Sequence, residues 1–434
     1  MTRLEIQWPD EAAERVRAAR GRLERAGEAL RARSLPSRIA AVARIVEDWT
    51  RADSPWRREL VESFASTSAF DRATVAEGLE SALRAWDPAR FVAAAERELA
   101  AVLAAPDGTR PTRALAPFAW TAVLAGGTIP MPTLLTSLLP LVLGSPVLLR
   151  ETAKDPVTGP LLARSLAARD EGLARAFLPV EFPSDDAPAL RELLEAPCIV
   201  ATGSDETMRA IATQLRVDQR FVAYGHRVSI AIVGPQAASE RDAATVAADL
   251  ALDVARWDQT GCLSPIAVLL VGFEPEARRA FASHVARALD ALATRLPRGE
   301  LPAASRALFA AERAEARMRA ASGRAELFEG RDAVVVLEAD AEPRPAPLHR
   351  FLRVVPIGGL DALPNAIARI GAPLSNVAVA GFAHEERSGL VAELARHGAS
   401  RITTPGRLQT PPIDWPRDGW PLFLPLARFC ETQD

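Results

Sequence analysis

The chain is poor in the residues that build several common kinds of site. It has 3 cysteines in 434 residues, and they stand far apart, at positions 198, 262 and 430. An odd and scattered set of this kind argues against a disulfide framework and favours a reducing cytoplasm. The 5 histidines are equally scattered, and none stands at metal-ligand spacing from another histidine or from a cysteine. No metal site is therefore expected.

Lysine is almost absent as well. Lys154 is the only lysine among 52 basic residues, and the formal net charge of the chain is −3. The arginines are interleaved with acidic residues and form no basic cluster. No nucleic-acid partner is expected, because that kind of binding needs a basic surface.

Long apolar runs are missing too, with one exception. Residues 129–149 read IPMPTLLTSLLPLVLGSPVLL, about the length of a bilayer span. Four prolines and a Gly-Ser pair interrupt this stretch, so we predict a buried helix, a turn and a buried strand at residues 147–149. No membrane span is expected, and the first 20 residues contain no apolar region of a secretory signal.

The sequence is rich in alternating helical and strand patterns. Its first hundred residues are mostly helical, with apolar residues three to four positions apart. From about residue 113, apolar strands alternate with helices, which favours parallel sheets that are covered on both faces. Strands are predicted at residues 114–123, 147–150, 198–202, 228–233, 265–271, 333–337, 352–357 and 377–381.

Two such runs, divided near Gly234-Pro235, predict an α/β protein with two Rossmann-like parallel-sheet lobes. We expect a helical N-terminal region over residues 1–110 and a cofactor-binding α/β domain over 111–234. We expect a catalytic α/β domain next, over residues 235–400. A C-terminal segment, 401–434, would then return to the body of the protein. The cleft between two lobes is where cofactor and substrate usually meet.

The first candidate for chemistry is Cys262, in the segment WDQTGCLSP between a long amphipathic helix and a buried strand. Gly261 offers a left-handed end to that helix, and the loop can present a thiol to a cleft. The alternative is that Cys262 is a small buried residue, the commoner role of a free cysteine. A thiol with the ordinary pKa of about 8.5 also needs an activating group, which the sequence does not identify.

Other candidates are weaker when taken alone. Ser204, in ATGSDET, follows a predicted strand where a phosphate can bind, although it is equally suited to cap the next helix. His226, in YGHRVS, is either a base or a structural hydrogen-bonding residue. Arg150 ends another strand, where a cation can reach a nucleotide. No GxGxxG dinucleotide fingerprint follows any strand.

Together and in this order, these segments resemble the acyl-CoA reductase (LuxC-type, fatty acid reductase) branch of the aldehyde dehydrogenase superfamily. The resemblance runs from about Ala114 to the C-terminus. It is carried by AGGTIPMP, PVLLRETAKDP, ATGSDETMRAI, FVAYGHRVSIAIVG, ARWDQTGCLSPIAVLL and the tail RITTPGRLQTPPIDWPRDGWPLFLPLARF. It implies an aldehyde dehydrogenase-like fold and the NADPH-dependent reduction of a fatty or other acyl thioester to the aldehyde, through an acyl-cysteine. NADH is the alternative hydride donor.

The resemblance also implies roles for single residues. Cys262 would be the nucleophile, Gly203 and Ser204 would contact the cofactor pyrophosphate, and Arg150 would face the adenosine ribose. Thr128 stands where the superfamily has the side-chain amide of the oxyanion hole, and would take over its catalytic role. The acyl donor would be acyl-CoA, or a thioester on a carrier protein or another acylated protein.

One departure from the superfamily favours reduction. Residues 223–227, AYGHR, lack the carboxylate that activates water in the hydrolytic members, and a reductase has no use for that base. Two alternatives stay open: a CoA-acylating aldehyde dehydrogenase that runs in the oxidative direction with NAD, and a catalytically weak homologue that serves as a binding partner. Association into a homo-oligomer is a further expectation, with the hairpin-like residues 106–112 as an interface.

Overall fold

The computed structural model describes residues 9–103 and 113–431, and the chain begins there with five helices. Four of the helices start at a Ser or Asp whose side chain accepts a hydrogen bond from an N–H of the first turn, at positions 34, 54, 71 and 87. Local capping residues therefore determine where these four helices begin. The helices are α1 (Ala12–Ala32), α2 (Leu35–Thr50), α3 (Pro55–Thr67), α4 (Arg72–Arg84) and α5 (Pro88–Glu98).

The next part of the chain forms a parallel sheet of five strands, in the order β4-β3-β2-β5-β6. Alternate residues of its strands enter two hydrophobic clusters: Val123 and Val200 face α2–α5, whereas Ala122 and Ile199 face α1. The elements are β1 (Arg113–Leu115), β2 (Thr121–Leu124), α6 (Met131–Val142), β3 (Val147–Arg150), α7 (Thr158–Arg169), α8 (Glu171–Arg175), β4 (Phe177–Val180), α9 (Ala187–Leu193), β5 (Cys198–Thr202), α10 (Asp205–Ala212) and β6 (Arg220–Tyr224).

A second sheet has seven strands in the order β13-β12-β7-β8-β11-β10-β9, and β9 alone runs antiparallel. Helices cover both of its faces, so β7 and β11 are buried throughout and β8 over most of its length, as expected of parallel strands. The elements are β7 (Val228–Val233), α11 (Glu240–Ala255), β8 (Pro265–Val271), α12 (Pro275–Ala293), α13 (Ala303–Ala321), β9 (Ala325–Glu329), β10 (Val334–Glu338), β11 (Phe351–Ile357), α14 (Leu363–Ala368), β12 (Leu374–Ala380), α15 (His384–Arg396) and β13 (Arg401–Thr403).

The last strand, β14 (Phe429–Glu431), returns to the first part of the chain. It pairs antiparallel with β1, with Cys430 opposite Ala114. Between β13 and β14 the chain therefore passes along the body of the protein, as the sequence suggested for the C-terminal segment.

The sequence located most of the interior strands of the two large sheets, including residues 147–150, which form β3 with the same bounds. Strands 198–202, 228–233 and 265–271 are confirmed with the same bounds. The strand predicted at 114–123 is wrong, because β1 and β2 belong to different sheets and Pro117 between them lacks the N–H of a ladder. All four edge strands of the two large sheets, β4, β6, β9 and β13, were missed, since they are only partly buried.

The predicted division near Gly234 is also wrong for one strand. β7 pairs with β8 and β12, so the chain passes from the first sheet to the second within residues 225–227. A fully buried apolar strand has the same sequence pattern in either sheet, and only its pairing decides its membership. The proposed interface at 106–112 lies outside the described residues.

The apolar stretch 129–149 lies inside the protein. Its first part is α6, nearly all of which is buried, and its last part is the buried strand β3. Among the helices of the described ranges, none is both long and apolar enough to cross a bilayer.

Gly78 of α4 gives a test of how closely the helical region packs on the second lobe. A Cβ built on Gly78 would lie 2.3 Å from Cε2 of the buried Trp257 ring. We expect Gly78→Ala to lower the free energy of unfolding by about 1–3 kcal/mol, because the core is overpacked. Gly389→Ala, at an exposed position of α15 with nothing within 4 Å, is the matched control. It should raise that free energy by about 0.5–1 kcal/mol. Denaturant titration measures both, and a gain in the Gly78 variant would contradict the packing argument.

Candidate active site

The loop that carries Cys262 begins with an uncommon backbone conformation. After α11 ends, Trp257, Asp258 and Gln259 have φ values of 55°, 48° and 62°. The expectation that Gly261 provides the left-handed end of the helix is wrong, since its φ is not positive. Each left-handed non-glycine residue costs roughly 1–2 kcal/mol, so this turn must be stabilised by other contacts.

A buried ion pair supplies those contacts. Arg350 donates from Nε and Nη2 to Oδ1 of Asp258, at 2.9 and 2.6 Å, and the Gly299 N–H donates to Oδ2 at 3.0 Å. Both side chains are almost completely buried, with 1% and 4% of their surface exposed. Burial raises the pKa of the Asp258 carboxyl, and the guanidinium of Arg350 opposes that rise. Arg350 itself ends a second left-handed run, residues 348–350, with φ values of 64°, 54° and 68°.

Two further side chains of the same turn fix its surroundings. The Gln259 amide donates to the carbonyl oxygens of Pro265 and Phe351, at 2.9 and 3.2 Å, and so ties the loop to β8 and β11. Trp257 packs edge-on against Phe70, with ring centroids 5.6 Å apart. The cysteine loop is thus held from both the second sheet and the helical region.

Ser229 holds the carbonyl group of Cys262. The Ser229 hydroxyl donates to the Cys262 carbonyl oxygen at 2.8 Å and accepts from the Asn376 N–H at 3.2 Å. The segment YGHRVS therefore meets WDQTGCLSP through its serine. His226 is exposed at the rim of the cleft, and its backbone N–H donates to Asp205.

Cys262 lines two neighbouring cavities. The larger, of about 390 Å³, lies between the two sheets and brings Cys262 together with Thr128, Gly203 and Ser204. The smaller, of about 70 Å³, is lined mainly by apolar side chains, among them Ala82, Trp86, Met131, Leu135, Ile413 and Trp415. Four of the five site residues predicted from the sequence thus line one cavity. Their chemical roles stay predictions.

The larger cavity has features that suit a dinucleotide. Gly126, in the loop after β2, approaches the next strand so closely that a Cβ there would lie 1.9 Å from the Thr202 carbonyl oxygen. Gly126 and Gly203, which lack side chains, both line the cavity. The Ser204 hydroxyl caps α10 by accepting from the Thr207 N–H at 3.1 Å, as the alternative interpretation held. Asp205 and Glu206 in the first turn of α10 oppose an anion there.

Arg150 stands apart from that cavity, at the end of β3. It donates to the Phe182 carbonyl oxygen at 3.2 Å, and its guanidinium carbon lies 5.4 Å from the Phe182 ring centroid. Burial lowers the pKa of Arg150. Its Nε is buried and has no hydrogen-bond partner among the described residues.

The sequence analysis missed a cation beside the thiol. Although Cys262 has solvent access, the surrounding protein displaces much of the water, and this desolvation raises the pKa of the Cys262 thiol. Arg417 opposes the rise and lines both cavities next to Cys262. Its segment, the tail WPRDGW, contributed to the family resemblance, but no local pattern linked it to a cysteine 155 positions away.

This arrangement defines a class of protein. Two α/β lobes with a loop cysteine between them, beside a Gly-Ser turn that follows a strand, are the framework of a nicotinamide-dependent enzyme of the aldehyde dehydrogenase type. A family model described as acyl-CoA reductase (LuxC) matches residues 31–430, so the chain belongs to that family. It is an oxidoreductase that reduces an acyl thioester to the aldehyde with a nicotinamide cofactor.

Solved structures share the fold at low sequence identity. An NAD-dependent benzaldehyde dehydrogenase from Corynebacterium glutamicum is 14% identical, with a TM-score of 0.68, over 98% of this chain and 91% of that one. A glyceraldehyde-3-phosphate dehydrogenase from Methanocaldococcus jannaschii, complexed with NADP, is 11% identical, with a TM-score of 0.70, over 99% and 96%. A cysteine-to-alanine variant of an aldehyde dehydrogenase from Pseudomonas syringae, complexed with NAD and octanal, is 15% identical, with a TM-score of 0.67, over 90% and 81%. A search of curated proteins finds no match.

The ion pair beneath the cysteine loop yields a prediction. Asp258→Asn leaves the Arg350 guanidinium buried without a counter-charge, so we expect the free energy of unfolding to fall by about 3–5 kcal/mol. The control is Asp53→Asn, which breaks the exposed pair with Arg51 and should leave stability nearly unchanged. Denaturant titration of both variants measures the difference. Equal, small effects would show that the pair does not stabilise the loop.

Proposed function

We propose that this protein reduces an apolar acyl thioester to the aldehyde with NADPH, and that Cys262 is the nucleophile. The observation that carries the proposal is that Cys262 lines two unlike cavities. One is lined by the glycine-rich loops of the first sheet, and the other is apolar. A nucleophile in this position can meet a cofactor in one cavity and an acyl chain in the other.

In the acylation step, the Cys262 thiolate attacks the carbonyl carbon of the thioester. A new C–S bond forms, the bond to the leaving sulfur breaks, and the leaving thiolate takes up a proton. The carbonyl oxygen becomes an oxyanion in between, and it needs hydrogen-bond donors. The Cys262 N–H is the first donor that we propose, because it makes no backbone–backbone hydrogen bond among residues 9–103 and 113–431.

Thr128 is the second donor that we propose for the oxyanion, and it must turn to act. The Thr260 hydroxyl donates to the Trp257 carbonyl oxygen at 2.7 Å, so it can only accept from Thr128, at 3.3 Å. The Thr128 proton therefore points to Thr260 at rest. Rotation about one side-chain bond would bring it to the substrate.

A nicotinamide, when bound, supplies the hydride that reduces the acyl-cysteine. Gly203 and Ser204 would hold its pyrophosphate, and the partly exposed guanidinium of Arg150 would face its ribose. Lys154 is exposed on the connection after β3, and this second cation favours a cofactor with an extra phosphate over NADH. After reduction, the thiohemiacetal collapses: its C–S bond breaks, the aldehyde carbonyl forms, and the Cys262 thiolate is regenerated.

The surroundings of the acyl-cysteine support reduction over hydrolysis. The segment that supplies a carboxylate in hydrolytic relatives is here β6 and the loop after it, where Tyr224 carries Arg417 on its ring at 4.0 Å. No acidic side chain from residues 223–227 can activate a water molecule there. An acyl-cysteine formed in this site would therefore persist until hydride arrives.

The two lobes divide the work in this proposal. The first sheet, with residues 113–224, would bind the cofactor, and the second, with residues 228–403, would carry the nucleophile. The helical region contributes Ala82 and Trp86 to the apolar cavity, and the C-terminal segment contributes Ile413 and Trp415. The acyl chain would thus lie among parts of the chain that are far apart in sequence.

The role of the thiol is tested with Cys262→Ala. We expect acyl-CoA-dependent loss of NADPH absorbance to fall on the order of 10⁴-fold or more, because the covalent route is lost. The matched control is Cys430→Ala, at an exposed cysteine on the distant β14 strand, which should keep full turnover. Turnover that survives in the Cys262 variant would overturn the mechanism.

The proposal that the acyl chain binds in the apolar cavity is tested by changing the volume of that cavity. Leu135 is partly buried and lines it, so Leu135→Ala should enlarge the space for the acyl chain and Leu135→Phe should reduce it. We expect kcat/KM to shift toward longer acyl-CoA substrates in the first variant, by about tenfold per pair of added methylenes at most. The shift should go toward shorter substrates in the second. Leu190→Ala, in the partly buried face of α9, is the control and should keep the wild-type profile. An unchanged profile in all variants would place the acyl chain elsewhere.

A further inference from the structure

The segment between β13 and β14 brings a positive charge to the reactive cysteine. We name residues 404–420 the C-terminal strap. We propose that Arg417 of the strap activates Cys262 by stabilising its thiolate, an inference that rests on the proposed function of Cys262. The sequence offered no activating group for this thiol, and Arg417 fills that gap.

The position of Arg417 is the first argument. Arg417 and Cys262 both line the apolar cavity, and both line the larger cavity between the sheets. The guanidinium carbon of Arg417 lies 4.0 Å from the centroid of the Tyr224 ring. This cation–π contact helps to hold the Arg417 side chain in the cleft. Arg417 is half-buried, which weakens the screening of its charge by water.

The other titratable groups around the thiol do not replace Arg417. Those that line the two cavities are His226, Arg227, Arg417 and Asp418, and Tyr224 lies beneath Arg417. Asp418 opposes a thiolate, but it pairs with Arg227 at 3.1 Å, which offsets its charge. His226 is exposed at the rim. Of the arginines that line these two cavities, Arg227 is paired with a carboxylate of the described residues and Arg417 is not.

The strap is tied to the same elements that carry Cys262. Asp253 of α11 accepts from the N–H groups of Gly406 and Leu408, at 2.7 and 3.0 Å. The Gln409 amide donates to Ser264, two residues after Cys262. These bonds hold the cation in place before substrate arrives, and a preorganised charge stabilises an ion more effectively than a mobile one.

The chemistry requires no extra reactant. The thiol loses its proton to water, and the thiolate remains next to a guanidinium that is charged at every relevant pH. Desolvation raises the pKa of Cys262, and Arg417 acts against that rise. Arg417 therefore increases the fraction of thiolate at neutral pH, without taking part in proton transfer.

The test is the pH dependence of Cys262 alkylation, which does not depend on turnover. Iodoacetamide is reacted with the full chain between about pH 6 and 11, and the modified peptides are quantified by mass spectrometry. Cys430 is alkylated in the same sample and serves as an internal reference, because it is exposed and remote. The variants are Arg417→Gln, Arg417→Lys and the matched control Arg428→Gln. Arg428 also lies on an aromatic ring, that of Phe118 at 4.4 Å, but lines neither cavity.

We expect Arg417→Gln to raise the midpoint of Cys262 alkylation by about one pH unit, equal to a tenfold loss of rate below the midpoint. Arg417→Lys should recover most of the shift, and Arg428→Gln should match the wild type. The inference is overturned if the Gln variant, with an unchanged thermal unfolding midpoint, titrates like the wild type, or if Arg428→Gln shifts Cys262 equally. Should Cys262→Ala retain turnover while Arg417→Gln still shifts the midpoint, the proposed function fails and the assignment of Arg417 stands.

Discussion

The buried pair of Asp258 and Arg350 is the contact on which the active site depends most. It joins two left-handed runs, one that begins the cysteine loop and one that precedes β11. The left-handed backbone conformation is unfavourable for residues that have a Cβ atom. The two runs together contain six such residues, all of them non-glycine. The ion pair, together with the Gly299 N–H and the Gln259 amide, compensates for that local cost with charge-assisted and backbone hydrogen bonds. The loop of Cys262 is thus held in place by several buried hydrogen bonds.

The site is assembled from all the major parts of the chain. The helical region presses Gly78 against Trp257, the first sheet supplies the Gly126 and Gly203 loops, and the second sheet carries Cys262. The C-terminal strap closes the arrangement, because Asp253 and Ser264 bind it on either side of Cys262 in the sequence. The strap is thus tied to both lobes, to the second through Asp253 and Ser264 and to the first through Arg417 on the Tyr224 ring of β6.

Parts of this picture were accessible before any coordinates. The bounds of β5, β7 and β8 follow from short apolar runs, which few arrangements other than a buried parallel strand can accommodate. The position of Cys262 between a helix and a strand was also correct. The left-handed turn was assigned to Gly261, the residue with the best intrinsic propensity, whereas tertiary contacts imposed it on Trp257, Asp258 and Gln259. The four edge strands β4, β6, β9 and β13 escaped detection, since partial burial removes the apolar run.

The sequence by itself determined most element types and the alternation of strand and helix, and it singled out Cys262 and the Gly-Ser turn as candidates, because these depend on local periodicity and on residue chemistry. Only the tertiary structure decided which sheet β7 joins, since hydrogen-bond pairing between strands leaves no trace in a single strand. It alone brought Ser229 to the Cys262 carbonyl and Arg417 to the thiol, across 33 and 155 positions. Such contacts arise from the packing of whole elements, and no spacing rule within the chain encodes them.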